Sequence, residues 1–163
     1  MIREKDMAEF RPQVRYQDGN QINLNTIENA LGDWGKGHGV EMSFGRDQVK
    51  FGGLIGGVTT EGLILYHPNH KRDYFNFVIT IGRQGNYAFV SVYGTGTSKQ
   101  TGKQANAEMA KGGMKDAFWN ASIDGLIKGV VGGVLSLGNS KKKLQDEQNW
   151  YAMVSDAFDE VIC

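Results

Sequence analysis

Cysteine and proline are nearly missing from this chain of 163 residues, which has one of the former and two of the latter, and neither sign of charge is in excess. Each shortage removes a class of protein. The lone Cys163, at the last position, excludes an internal disulfide framework, and a terminal residue is a poor place to fix a nucleophile. Eighteen Lys and Arg balance eighteen Asp and Glu, so no global field draws nucleic acid, and no nucleic-acid partner is expected. The apolar stretch from Leu126 to Leu137 is shorter than the roughly 20 residues a bilayer core requires and carries Lys128, so membrane spanning is not expected. The charged opening Met1 to Phe10 contains no apolar signal core, which points to the cytoplasm.

Glycine is what the chain has in plenty: 23 residues, about twice the usual fraction. They are interleaved with apolar residues, so neither a collagen-like nor a disordered chain fits. The length predicts one domain, residues 1–163, able to bury roughly two-thirds of its unfolded surface, with 1–20 as an extended or mobile N-terminal arm.

Leu24, Ile27, Leu31 and Trp34 recur at helical spacing, and Asn25 with Glu28 three residues on predicts the cap of a short N-terminal helix over Ile22 to Trp34. Val40, Met42 and Phe44, then Val49 and Phe51, alternate with period two around Gly45 to Gln48, which predicts a hairpin turning there. Leu63 to Tyr66 predicts a further strand ending at His67-Pro68. Tyr74 to Gly82 and Asn86 to Gly94 predict a second hairpin, with Gly82 opposite Tyr87, Ile81 opposite Ala88, Ile79 opposite Val90 and Phe77 opposite Val92. One face is then aliphatic. The other presents Tyr74, Asn76, Tyr87, Phe89 and Tyr93, and these five are the candidate binding residues.

Beyond a polar loop, Ile123, Leu126, Ile127, Val130, Val131, Val134 and Leu135 fit a helical stripe, and Gly125, Gly129, Gly132 and Gly133 fall on its opposite side. Four helical glycines cost roughly 4 kcal/mol against alanine, so that side is expected to be packed against the last helix or against a second copy of the chain. The last helix, from about Lys141 to Val161, sets Leu144, Trp150, Tyr151, Val154, Phe158 and Val161 against an acidic side with Asp146, Asp156, Asp159 and Glu160. Bunched strands between helices make the fold α+β: an antiparallel meander of about five or six strands, with a short N-terminal helix and two C-terminal helices packed on it.

Candidate chemistry is thin. The segment Gly94 to Gln104 fails the phosphate-loop pattern, because five residues separate Gly96 from Gly102 and Gln104 follows Lys103; weak anion contact by Lys99 and Lys103 is what remains. His67, His70 and Asp73 are weak metal candidates, since Pro68 puts them in a turn where the imidazoles have no need to converge. No metal or cofactor is expected. No serine sits on a nucleophile elbow. The reading is a non-enzymatic binding or assembly module that uses an aromatic sheet face and a glycine-faced helix. Its partner is a protein, a second copy of the chain, or a small apolar ligand. The alternatives are a peripheral membrane or lipid-binding protein, working through Lys99, Lys103, Lys111, Lys115 and Lys141 to Lys143, and a small enzyme.

Overall fold

The computed structural model describes residues 1–52, 56–70, 74–96 and 138–162. Helix α1, Leu24–His38, is capped two residues earlier than expected, by Asn23 and not Asn25: the Asn23 Oδ1 accepts from the Thr26 backbone N–H at 2.9 Å, and Thr26 Oγ1 accepts from the Asn23 N–H at 3.0 Å. Asn25 instead accepts from Arg46 Nη2 at 2.8 Å.

The described residues form six strands, in chain order β1 Ile2–Arg3, β2 Met7–Tyr16, β3 Ser43–Phe51, β4 Val58–Tyr66, β5 Asn76–Gln84 and β6 Tyr87–Thr95, with α1 between β2 and β3. The predicted turn at Gly45 to Gln48 is absent. Those residues lie inside β3, where Gly45 pairs with Ile64 and Asp47 with Gly62. The reversal falls at Gly52 to Gly57, where Gly52 and Gly56 adopt φ of +93° and +79°, values a residue with a Cβ rarely takes. The β5–β6 register also differs from expectation by two: Gln84 faces Tyr87, Ile79 faces Val92 and Phe77 faces Gly94. The turn is the two-residue Gly85-Asn86, with Gly85 at φ +59°, so β5 runs two residues beyond Gly82. A slip of two keeps every side chain within the paired strands, from Asn76 onward, on its predicted face.

In space the strands are ordered β1-β3-β4-β5-β6-β2, with all pairings antiparallel except β1 with β3. The two outermost strands are therefore consecutive in sequence, joined only by the 3-10 turn Glu4–Asp6. That link is pinned at both edges. A Glu4 carboxylate oxygen accepts from Gly52 N–H just after β3, at 2.9 Å, and Thr95 Oγ1 of β6 donates to the Asp6 carbonyl at 3.0 Å. A three-residue turn spans only several ångströms, so the sheet must roll until its edges nearly meet. Residues expected as an arm are thus the seam of the roll.

Helix α1 and the terminal helix α2, Gly138–Val161, pack on one face of the sheet. Leu63, Leu65, Phe77, Ile79, Val90 and Val92 meet Ile27 and Leu31 of α1 and Trp150, Tyr151, Val154, Ala157 and Phe158 of α2. The apolar side read for the last helix matches this burial at Trp150, Tyr151, Val154 and Phe158, with Val161 partly buried. Its acidic side is partly engaged within the chain: Asp159 pairs with Arg11 at 2.6 Å, and Glu160 accepts from the Trp34 indole. Trp150 Nε1 donates to the Glu41 carbonyl at 2.9 Å, and the Tyr151 hydroxyl accepts from Phe75 N–H and donates to its carbonyl. These polar anchors fix the rotation of α2 that hydrophobic burial alone leaves open.

The opposite face turns into the roll. Val49 and Val78 are fully buried there, with Thr80 and Ser91 close behind. Phe51 of β3 and Tyr93 of β6, three strands apart in the sheet order, meet at a ring distance of 5.8 Å. The described residues hold two α-helices where three were expected; the predicted helix over Ile123 to Leu135, with Gly125, Gly129, Gly132 and Gly133, lies outside them. No helix among the described residues is long and apolar enough to cross a membrane.

Candidate functional site

The five candidate binding residues do not form one site. Tyr74 and Phe75 precede β5, so strand alternation does not govern them, and Tyr74 is buried on the helix side among His67, His70, Trp150 and Tyr151. Asn76 pairs with Thr95 at the far end of the hairpin, where its buried amide oxygen has no hydrogen-bond partner among the described residues. Tyr93 is packed inside the roll against Phe51. Only Tyr87 and Phe89 stand together near the open end.

Both belong to β6 two residues apart, so the pleat puts them on one face, their rings stacked at 6.4 Å and 28°. Tyr87 is 39% exposed, one of few large apolar side chains so open to solvent. Arg15 reaches across from β2, its guanidinium 6.0 Å from the Tyr87 ring centre. No carboxylate pairs with Arg15 among the described residues. Gln84, Gly85 and Asn86 complete the wall of an open cleft of about 460 Å³. The tip is fixed from below: Gly19 N–H donates to the Asn86 carbonyl at 2.8 Å, and Arg83 donates to the Gly19 carbonyl at 2.9 Å. Rigid aromatic rings with a cation and side-chain amides beside them suit recognition, because large area is buried at little entropic cost while polar groups set orientation. Arg15, Gln84 and Asn86 were missed by sequence reasoning: Arg15 lies in β2, within the segment expected as an arm, and Gln84 and Asn86 lie at the hairpin turn, outside the alternation that singles out Tyr87 and Phe89.

A second cluster gathers at the turn after β4. The rings of His67 and His70 lie 4.8 Å apart, His70 stacks on Tyr74 at 4.8 Å and 10°, and Trp150 sits edge-on to His67 at 5.4 Å. The imidazoles do converge, contrary to expectation. His67 Nδ1 accepts from Asn69 N–H at 3.1 Å, which leaves the proton on Nε2, facing Glu41 Oε2 at 3.7 Å. Burial lowers the His67 pKa below 6.5, the neighbouring His70 lowers it further, and Glu41 partly opposes them. No group of three or more His, Cys, Asp or Glu side chains able to hold a metal is present among the described residues. Asp73, the third metal candidate, and the anion candidates Lys99 and Lys103 lie outside them.

No family model matches the chain, and neither does any curated protein or solved structure.

Proposed function

We propose that this chain is a binding and assembly module that engages a protein surface, or a second copy of itself, through Tyr87 and Phe89. The observation that carries the reading is a stacked aromatic pair left open at the hairpin end, beside an arginine with no carboxylate partner among the described residues. Centrally placed Tyr and Arg side chains are the residue types in which interface energy concentrates, often at 2 kcal/mol or more each. The rest of the aromatic face serves the fold: Tyr93 fills the roll and Tyr74 the helix-packed core.

The test is native mass spectrometry and affinity capture from the source cells, comparing the wild type with Tyr87→Ser and Phe89→Ser. Both variants are expected to fold and to lose the associated species, with Tyr87→Ser weakening association about thirtyfold or more. An unchanged subunit count and an unchanged set of captured proteins in both variants would show that this surface is not the contact.

A further inference from the structure

A different surface, on the far side of α1, has its own chemistry. Between α1 and the segment leading into β3 lies an open groove of about 680 Å³. Its floor is apolar, built from Val40, Met42, Phe44 and Pro68, and its helical wall runs along the face that carries Glu28, Gly32 and Lys36. Gly32 keeps this wall bare. A Cβ there would meet only Phe44 Cε2, at 3.8 Å, an ordinary contact, so the chain's own packing would accept alanine and gain about 1 kcal/mol of helix propensity. The glycine leaves room in the groove without being required by the fold.

The rim is acidic. Glu28, Asp33 and Glu41 line it, against the single ammonium of Lys36. Glu28 is neutralised by Arg46 at 2.6 Å, but Asp33 is exposed with no ion pair among the described residues, and the exposed Glu41 carboxylate meets the His67 imidazole at 3.7 Å and accepts from Asn69 Nδ2 at 3.4 Å, with no Lys or Arg paired to it among the described residues. The helical wall runs over nine residues, Glu28 to Lys36, a rise of about 12 Å at 1.5 Å per step, which matches three or four residues of extended chain.

We propose that this groove takes a short, extended cationic segment of a partner protein, with one apolar side chain seated on Phe44 and Met42 and flanking lysine or arginine side chains paired with Asp33 and Glu41. Charge complementarity selects the occupant: an acidic segment would be repelled by the carboxylates of Asp33 and Glu41, and a neutral apolar one would leave them without a Lys or Arg counter-charge. The site is separate from Tyr87 and stands or falls independently of the function proposed above.

The experiment uses the full chain and two fluorescein-labelled hexapeptides, one with a central Phe flanked by lysines and one with the same Phe flanked by glutamates, followed by fluorescence anisotropy at low and high salt. The lysine peptide is expected to bind, and to weaken as salt rises. The glutamate peptide should not bind. Gly32→Leu, which fills the groove, and Asp33→Lys, which reverses its rim, should each weaken the lysine peptide about tenfold or more, and Tyr87→Ser should leave it unchanged. Asp33 is exposed, so Asp33→Lys reports on binding even if Gly32→Leu perturbs folding. Absence of binding by the lysine peptide, equal binding of both peptides, or binding untouched by Asp33→Lys would overturn the proposal.

Discussion

Replacing Tyr151 by Phe removes one oxygen atom and tests how α2 is held. The ring is 1% exposed and packs against Phe75, Phe77, Tyr74 and Trp150, so its apolar burial survives the change. What is lost is the acceptor for the Phe75 N–H and the donor to the Phe75 carbonyl. Withdrawing a partner from a buried backbone group costs about 1–3 kcal/mol. For a chain of this size each kcal/mol moves the midpoint by about 2–4 °C, so Tyr151→Phe should melt roughly 2–12 °C lower. Calorimetry gives the shift, and urea titration should show a lower midpoint at an unchanged slope. Alkali adds an independent reading. Burial, reinforced by Glu147, raises the Tyr151 pKa well above 10, so the unfolded chain releases this proton first as pH rises past 10. Wild-type stability should therefore fall above pH 10 until the folded hydroxyl itself ionises, and the Phe variant should lack this component of the slope. A variant that melts within a degree of wild type, with the same alkaline slope, would refute the claim that this hydroxyl anchors the helix.

The other predictions concern the turn after β4 and the inside of the roll. Burial lowers the folded pKa of His67 below 6.5, so its contribution is present above pH 6.5 and lost as pH falls from 6.5 through its lower folded pKa; His67→Phe should flatten melting temperature against pH between 7 and 5. A Cβ at Gly62 would lie 2.7 Å from Val49 Cγ2 and 3.2 Å from Val78 Cγ1, so Gly62→Ala should cost about 1–3 kcal/mol in urea unfolding. Phe158, fully buried against Phe10 and Phe77, should cost about 3–5 kcal/mol when cut to Ala.

Patterns with a clean period were legible in the sequence. The stripe of α1 and the apolar side of α2 follow from spacing, and the two faces of the β5–β6 hairpin were correct despite a misplaced turn, because the misplacement was even. Where the period breaks, the sequence misleads. Strand β2 carries register shifts between Glu9 and Arg11 and between Arg11 and Val14, and Pro12 lies inside it. Those irregularities erase the alternation by which a strand is recognised, although they suit an edge strand. Gly45 reads as a turn because nothing local tells an extended glycine from a bent one; its partner Ile64 decides. The candidate site was half legible for the same reason. Tyr87 and Phe89 could be paired from their spacing, whereas Arg15 comes to them only through the pairing of β2 with β6, and Tyr74 leaves them because β5 starts after it.

The seam of the roll carries a consequence for biosynthesis. Partners across the β2–β6 ladder are 72 to 88 positions apart, from Tyr16 with Ala88 to Met7 with Thr95. At about 5–20 residues per second, a ribosome needs roughly 4–18 s between making the first and the second. For that interval β2 has no native neighbour in the sheet, and contacts so distant in sequence also make closure slow once they become available. The nascent protein thus spends seconds as an unzipped sheet with greasy side chains on show, the period in which a holding chaperone would matter most to its yield.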